Sequence, residues 1–189
     1  IGIISSLTGI LYTLFAGKGK LSCYLFGIVN TVLYGYISYR QRYYGEVMLN
    51  WGYYFPMQFV GLYFWGKHTG LADGEVIKRR LTWHGRALAF GWSAAGWLVY
   101  GGVLAWLGGN RPFTDSFTTV FSVTAMVLTV RRCVEQWMVW IAVNTVSIFL
   151  WLAVFLEAQQ DIATLLMWCV FLANGFIMLY KWQKGVKAA

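Results

Sequence analysis

Long runs of apolar residues constrain this chain more than any other feature of its sequence. Hydrophobic residues make up 59% of the chain and charged residues 12%, about half the charge of a soluble domain. Seven runs approach the roughly 20 residues with which a helix crosses the hydrocarbon of a bilayer. They lie at about 2–16, 21–39, 47–66, 87–107, 114–130, 137–156 and 162–180. The sequence therefore predicts an all-α integral membrane protein with seven transmembrane helices.

The basic residues lie mainly on one side of the predicted membrane. Of the fifteen Lys and Arg residues, three (Arg40, Arg42 and Arg111) fall on one side, and the others fall in the 67–86 loop or on the same side as it. Because basic residues concentrate in cytoplasmic loops, we expect this loop and the C-terminus in the cytoplasm and the N-terminus outside. The net charge of +8 is then a signal of topology, and no nucleic-acid partner is expected.

A short internal repeat organises the spans. The tetrapeptide Val-Asn-Thr-Val occurs at 29–32 and again at 143–146, and the same offset maps Lys18 onto Arg132. Spans one to three thus match spans five to seven, and the unpaired fourth span returns the chain to its starting side. This pattern predicts two parallel three-helix repeats joined by a linker helix (3+1+3), a plan known among transporters. The predicted units are a first bundle at 1–66, a loop and linker helix at 67–113, a second bundle at 114–182 and a basic cytoplasmic tail at 183–189.

Polar and aromatic side chains recur inside four of the spans. Unsatisfied polar groups are costly in hydrocarbon, so such side chains line a cavity or bind a neighbouring helix. At about 100° per residue, the candidates in the third span share one helix face. Helix packing remains an alternative for each residue, but their clustering favours a binding site. The candidates are Asn30, Tyr34, Asn50, Trp51, Tyr54, Gln58, Trp137, Trp140, Asn144 and Asn174.

No catalytic, metal or cofactor site is predicted. The carboxylates Glu46, Asp115, Glu135, Glu157 and Asp161 fall at predicted span ends or in loops, and no Lys falls at a span centre. The two His residues share one polar loop without a third ligand, and the three Cys residues are far apart. The lack of a titratable group at a span centre argues against proton coupling. Within the third span, Pro56 is expected to kink the helix.

Several stretches carry a resemblance to a known family. They are Gly-Ile-Val-Asn at 27–30, Tyr-Gly-Glu-Val-Met-Leu-Asn at 44–50, Met-Gln-Phe-Val-Gly-Leu-Tyr at 57–63, Glu-Gln-Trp-Met-Val-Trp-Ile at 135–141 and Tyr-Lys-Trp at 180–182. With them the chain resembles the PnuC family of bacterial vitamin transporters, whose usual substrate is nicotinamide riboside. The resemblance implies an architecture like that of the SWEET sugar transporters, a location in the inner membrane and a homotrimer. It also implies facilitated diffusion by rocking of the two bundles, with a cytoplasmic kinase that traps the riboside by phosphorylation.

The substrate that the resemblance implies suggests roles for the candidate residues. Nicotinamide riboside has a positively charged pyridinium ring, which aromatic faces attract. We expect Trp137 and Trp140 to form a platform for the ring with help from Trp51 and Tyr54. The amides of Asn30, Asn50, Gln58 and Asn144 would bind the ribose or the carboxamide.

Other functions remain open at this point. Relatives are thought to carry thiamine, riboflavin or deoxynucleosides. Outside transport, a seven-helix receptor or photoreceptor and a membrane enzyme are the alternatives. A retinal protein needs a buried Lys in its last span, whereas Lys181 lies at the rim, and no nucleophile–base pair suggests an enzyme.

Overall fold

The computed structural model describes residues 1–40, 44–70, 74–108, 111–158 and 162–186, and these ranges are built almost entirely from helices. The helices are α1 (Gly2–Gly17), α2 (Cys23–Arg40), α3 (Tyr44–Val47), a π-helical segment (Met48–Tyr54), α4 (Phe55–Gly66), α5 (Trp83–Trp106), α6 (Pro112–Val130), α7 (Gln136–Ala158) and α8 (Ile162–Gly185). Since α3, the π-helical segment and α4 follow one another without a break, the described chain has seven helical units at the seven predicted positions.

The third helical unit changes its winding just before Pro56. A proline in a helix lacks an N–H donor and crowds the carbonyl four residues earlier. The π-helical segment precedes Phe55, whose N–H bonds to the carbonyl of Asn50, five residues back. This wider turn accommodates the proline ring, so the irregularity expected at Pro56 takes the form of a π-helical stretch.

The outer faces of the helices are apolar. Within the described residues, α5, α6 and residues 165–185 of α8 are long and apolar enough to cross a membrane, and α1 and residues 136–150 of α7 are shorter apolar helices. On α5, Trp92 is 76% exposed, and Val99 and Trp106 are likewise exposed. Large apolar side chains that face outward along a whole helix suit contact with lipid.

The helices pack in a reciprocal pattern. Helix α1 contacts α2 and α8, while α6 contacts α5, α7 and α4. We call α1 to α4 and α6 to α8 the two halves of the chain; the first helix of each half therefore touches the last helix of the other half. In addition, α7 packs on α8 and α2 packs on α4. These contacts enclose a central space between the two halves.

An extended segment at 75–81 crosses the ends of α1 and α6. The N–H of Val76 donates to the carbonyl of Gly19 (2.8 Å), and the N–H of Arg79 donates to the carbonyl of Arg132 (2.9 Å). Gly19 and Arg132 both have positive φ angles, of 69° and 62°, so each turn exposes its carbonyl in the same way. The carboxylate of Glu135 accepts bonds from the Leu81 N–H and from Arg86 Nε (2.8 Å). The segment thus ties both halves together at one end of the molecule.

Candidate substrate site

A cavity of about 200 Å³ lies between the two halves of the chain. Its described walls come from α1, α2, the third helical unit, α6, α7 and α8. Eight of the ten residues that the sequence predicts for a binding site line it: Asn30, Tyr34, Asn50, Tyr54, Gln58, Trp137, Trp140 and Asn144. The cavity is smaller than the roughly 300–1,000 Å³ of most drug-sized sites, which suits a compact ligand.

Four of the lining side chains, those of Gln58, Trp137, Asn144 and Trp168, carry buried polar atoms that bond to no described protein group. Three of these residues are themselves buried. Gln58 Oε1, Trp137 Nε1 and Asn144 Oδ1 have no partner, and each of these residues is only 3% exposed. A buried polar group without a partner costs about 1–3 kcal/mol. With the indole nitrogen Nε1 of Trp168, two acceptors and two donors are therefore available to a ligand or to water within the cavity.

Neighbouring groups hold the two lining tryptophans of α7, Trp137 and Trp140, in place. Trp140 Nε1 donates to the hydroxyl of Thr129 on α6 (3.2 Å). The Trp137 ring packs edge-on against Trp182, with ring centroids 5.8 Å apart and planes at 72°. Fixed indole rings lose little conformational entropy when a flat ligand stacks on them.

Two other lining amides bond to the backbone. Asn30 Nδ2 donates to the carbonyl of Ser5 on α1 (2.7 Å), which joins α2 to α1. Asn50 Nδ2 donates to the Glu46 carbonyl (2.9 Å) and lies 3.4 Å from Glu46 Oε2. In both cases the bonds orient the amide group within the cavity wall.

Trp51 and Asn174 lie outside the described lining of the cavity. The Trp51 indole lies against Gly35 on α2, where a Cβ would come within 2.1 Å of its Nε1, and this nitrogen donates to the Val32 carbonyl (3.3 Å). Asn174 Nδ2 donates to both the hydroxyl and the carbonyl of Thr13, at 2.8 Å and 3.1 Å. Both side chains contribute to helix packing, the alternative that the sequence left open.

Two further lining residues, Glu46 and Trp168, are not among the binding residues that the sequence predicts. The third helical unit begins at Tyr44, before the predicted start near 47, so Glu46 lies in a helix and not in the predicted connection. It shares a face with Asn50, four residues on. The four-residue spacing of positions 46, 50, 54 and 58 indicates that Glu46 shares a helix face with the three candidates of the third span. The offset that relates residues 29–32 to residues 143–146 also maps the candidate Tyr54 onto Trp168. The internal repeat could therefore have indicated Trp168 as a lining residue.

An aromatic cluster closes the cavity toward the 75–81 segment. Trp65 Nε1 donates to the Thr129 carbonyl (2.9 Å), and Trp182 Nε1 donates to the Gly17 carbonyl (2.7 Å). Each bond runs from the last helix of one half to the first helix of the other half. Trp65 and Trp182 are fully buried and contact each other with centroids 6.2 Å apart. Both rings pack in one buried cluster with Val76 of the segment and Trp137 of the cavity wall.

The charge of the lining is low. Of the described residues that line the cavity, Glu46 alone is charged, and neither Lys nor Arg contributes to the wall. Within the same ranges, no three His, Cys, Asp or Glu side chains come together to hold a metal ion. The described wall thus offers aromatic faces, amides, hydroxyls and one carboxylate, a set that suits an uncharged or cationic organic molecule.

Comparison with known proteins supports a transport role. The family model described as "Nicotinamide mononucleotide transporter" matches residues 1–184. The nicotinamide riboside transporter PnuC of Neisseria mucosa is 41% identical, over 97% of this chain and 72% of its own length. The protein of the same name in Haemophilus influenzae is 33% identical, over 99% of this chain and 80% of its own length.

A solved structure agrees with the sequence relatives. The crystal structure of the vitamin B3 transporter PnuC matches with a TM-score of 0.86 and 39% identity, and the match covers 98% of this chain and 81% of that one. Fold, sequence and family model therefore point the same way, and they support the resemblance inferred from the sequence motifs. The chain belongs to the nicotinamide mononucleotide transporter family, the PnuC family, and is a multi-pass membrane transporter and not an enzyme.

Proposed function

We propose that this protein carries nicotinamide riboside across the bacterial inner membrane by facilitated diffusion. The observation that carries the proposal is the chemistry of the cavity wall, which combines aromatic rings and amides with no described Lys or Arg. The family description names the mononucleotide, whereas the relatives are named for the riboside. A phosphate group calls for Arg, Lys or a helix N-terminus. A wall with one carboxylate and no described base therefore favours the riboside.

The lining residues divide into two roles under this proposal. Trp137, Trp140 and Tyr54 would contact the pyridinium ring, and each good cation–π contact contributes about 0.5–2 kcal/mol. The unpartnered Gln58 Oε1 and Asn144 Oδ1 would accept bonds from ribose hydroxyls or from the carboxamide NH₂ group. The unpartnered Trp137 Nε1 would donate to a ligand oxygen.

We also propose that the two halves form parallel three-helix repeats linked by α5. The reciprocal contacts of α1 with α8 and of α6 with α4 support this architecture. So do the paired indole bonds of Trp65 and Trp182, which run in opposite directions across the same interface. Rocking of one bundle against the other would open and close this interface around a fixed site.

The distribution of basic residues supports an orientation for the closed end. The 75–81 segment belongs to the basic side, which we place in the cytoplasm, with the N-terminus outside and the C-terminus inside. The tryptophan cluster then closes the cavity toward the cytoplasm. Glu46 lies 19 residues before Trp65 in the third helical unit, about 28 Å away along the helix axis, at the outer end.

Facilitated diffusion needs a cytoplasmic sink to drive net uptake. A riboside kinase would supply it, because a phosphorylated product no longer suits a cavity without described basic groups. A homotrimer in the membrane is proposed from the resemblance to the family.

The test is a calorimetric comparison of three ligands on the purified protein. Nicotinamide riboside should bind, and nicotinamide mononucleotide should bind at least about tenfold more weakly, since its phosphate finds no base in the wall. Thiamine, another aromatic cation, serves as the third ligand. Equal or tighter binding of the mononucleotide, or tighter binding of thiamine than of the riboside, would contradict the proposed substrate.

A further inference from the structure

We infer that the Glu46 carboxylate determines the preference of the cavity for a positively charged ligand. This inference rests on the proposed function, because it concerns how the same site tells a cationic riboside from a neutral one. Glu46 would bind no metal. It would attract the fixed charge of the pyridinium ring as the substrate enters from the outer end.

The position of Glu46 suits this role. It lies in α3, at the start of the third helical unit and at the end of the cavity opposite the Trp65–Trp182 cluster. Its side chain is exposed at this end while still lining the wall. Asn50 Nδ2, on a second lining residue, lies 3.4 Å from Glu46 Oε2, which is the reach of a weak hydrogen bond.

No described cation neutralises this carboxylate. The two ion pairs among the described residues join Lys78 to Glu75 and Arg86 to Glu135, both at the cytoplasmic end. Asp115, at the start of α6, lies close enough to Glu46 for repulsion between the two carboxylates. Arg111 acts on Asp115 and offsets part of that charge. Glu46 is thus the one acidic residue in a described lining that holds neither Lys nor Arg.

The same cavity independently points to a ligand. Gln58, Trp137 and Asn144 are buried, line the wall and each carry a polar atom without a described partner. A single carboxylate with amides and indoles is a poor site for a divalent ion, which needs several oxygen ligands. It fits an organic cation, whose charge is balanced by the carboxylate and whose polar groups meet the unpartnered atoms.

The experiment compares two ligands on three variants. Nicotinamide riboside supplies the cation, and reduced dihydronicotinamide riboside supplies a neutral ligand of nearly the same shape. For Glu46→Gln we expect the dissociation constant of the cation to rise about tenfold and that of the neutral riboside to change less than about twofold. Glu46→Asp keeps the charge and should retain most of the preference. Asp115→Asn removes an acidic group outside the described lining and should weaken cation binding by only about twofold.

Each outcome decides the inference. Unchanged cation binding in Glu46→Gln would overturn it. If Glu46→Gln lost binding of both ligands, through misfolding or a shared contact, Glu46 would act structurally and the inference would also fail. It would fail too if Glu46→Asp lost as much of the preference for the cation as Glu46→Gln. If the unmodified protein bound no riboside, the proposed function would fail first. A wild-type protein that binds the riboside and a Glu46→Gln variant that binds it equally well would leave the function standing and remove this inference alone.

Discussion

Replacing Trp140 by Leu tests whether the indole rings of α7 recognise a cation. Trp140 lines the cavity, is half-buried, and is fixed by the bond from Nε1 to Thr129 Oγ1. Leu keeps an apolar side chain at this position but removes the π face. Trp137 remains as a second aromatic wall, so the change removes one cation–π contact and leaves the rest of the site.

The expected loss follows from that single contact. A Trp face contributes about 0.5–2 kcal/mol to a bound cation, and more when the site is dry. The cavity is enclosed by six helical units, so we expect a loss of about 1–2 kcal/mol. This equals roughly a five- to thirty-fold rise in the dissociation constant of nicotinamide riboside. Trp140→Phe should lose less, because it keeps a smaller π face.

The assay is calorimetry with the cationic riboside and the neutral reduced riboside. The neutral ligand should lose clearly less affinity than the cation in Trp140→Leu. Trp92→Leu serves as a matched control, since Trp92 is 76% exposed on α5 and lies outside this cavity, and it should leave both dissociation constants unchanged. Equal losses for the two ligands would refute the cation–π role and reduce Trp140 to a packing or stacking residue.

The remaining predictions concern packing, closure and orientation. Gly61→Ala should destabilise the protein by about 1–3 kcal/mol, because a Cβ there would lie 2.2 Å from an aromatic ring of α2. Gly66→Ala is the control and should be neutral, since a Cβ there would meet nothing within 4 Å. Equal melting temperatures for the two variants would contradict this packing. Trp182→Phe removes the indole hydrogen bond across the closed end and should lower the free energy of unfolding by about 1 kcal/mol. It should also increase the access of solutes to the cavity from the cytoplasmic side. Unchanged access would contradict the role of Trp182 in closure. Ile77→Cys places a thiol at an exposed position of the 75–81 segment, and Cys169→Ser removes the exposed native thiol. A membrane-impermeant maleimide added to whole cells should not label this variant. Strong labelling would refute a cytoplasmic 75–81 segment.

The sequence predicted the helical units well because hydrocarbon imposes a strong local constraint. A crossing helix must be apolar along its length, so hydrophobicity alone located all seven. The boundaries shifted where polar residues continue a helix. The third unit begins at Tyr44 and not near 47, and α5 begins at Trp83, where the hydroxyl of Thr82 accepts the Gly85 N–H and caps the helix.

The site was predictable to the extent that it depends on helix faces. Residues on one face of the third unit, such as Asn50, Tyr54 and Gln58, could be grouped by spacing alone. Spacing also grouped Trp51 with this face, but neither Trp51 nor Asn174 belongs to the described lining. The position of Trp51 depends on space left by Gly35 on another helix, and that of Asn174 depends on Thr13 at the opposite end of the sequence. Contacts between distant parts of the chain decide such cases, and a single sequence does not reveal them.

Uptake of labelled nicotinamide riboside into proteoliposomes tests the central claim most directly. The riboside should enter protein-containing vesicles until its internal concentration equals the external one, and unlabelled mononucleotide in excess should compete poorly. A pH or sodium gradient imposed across the vesicle membrane should leave the final internal concentration unchanged. Accumulation above the external concentration under either gradient would contradict facilitated diffusion, and the absence of protein-dependent uptake would contradict the proposed transport of the riboside.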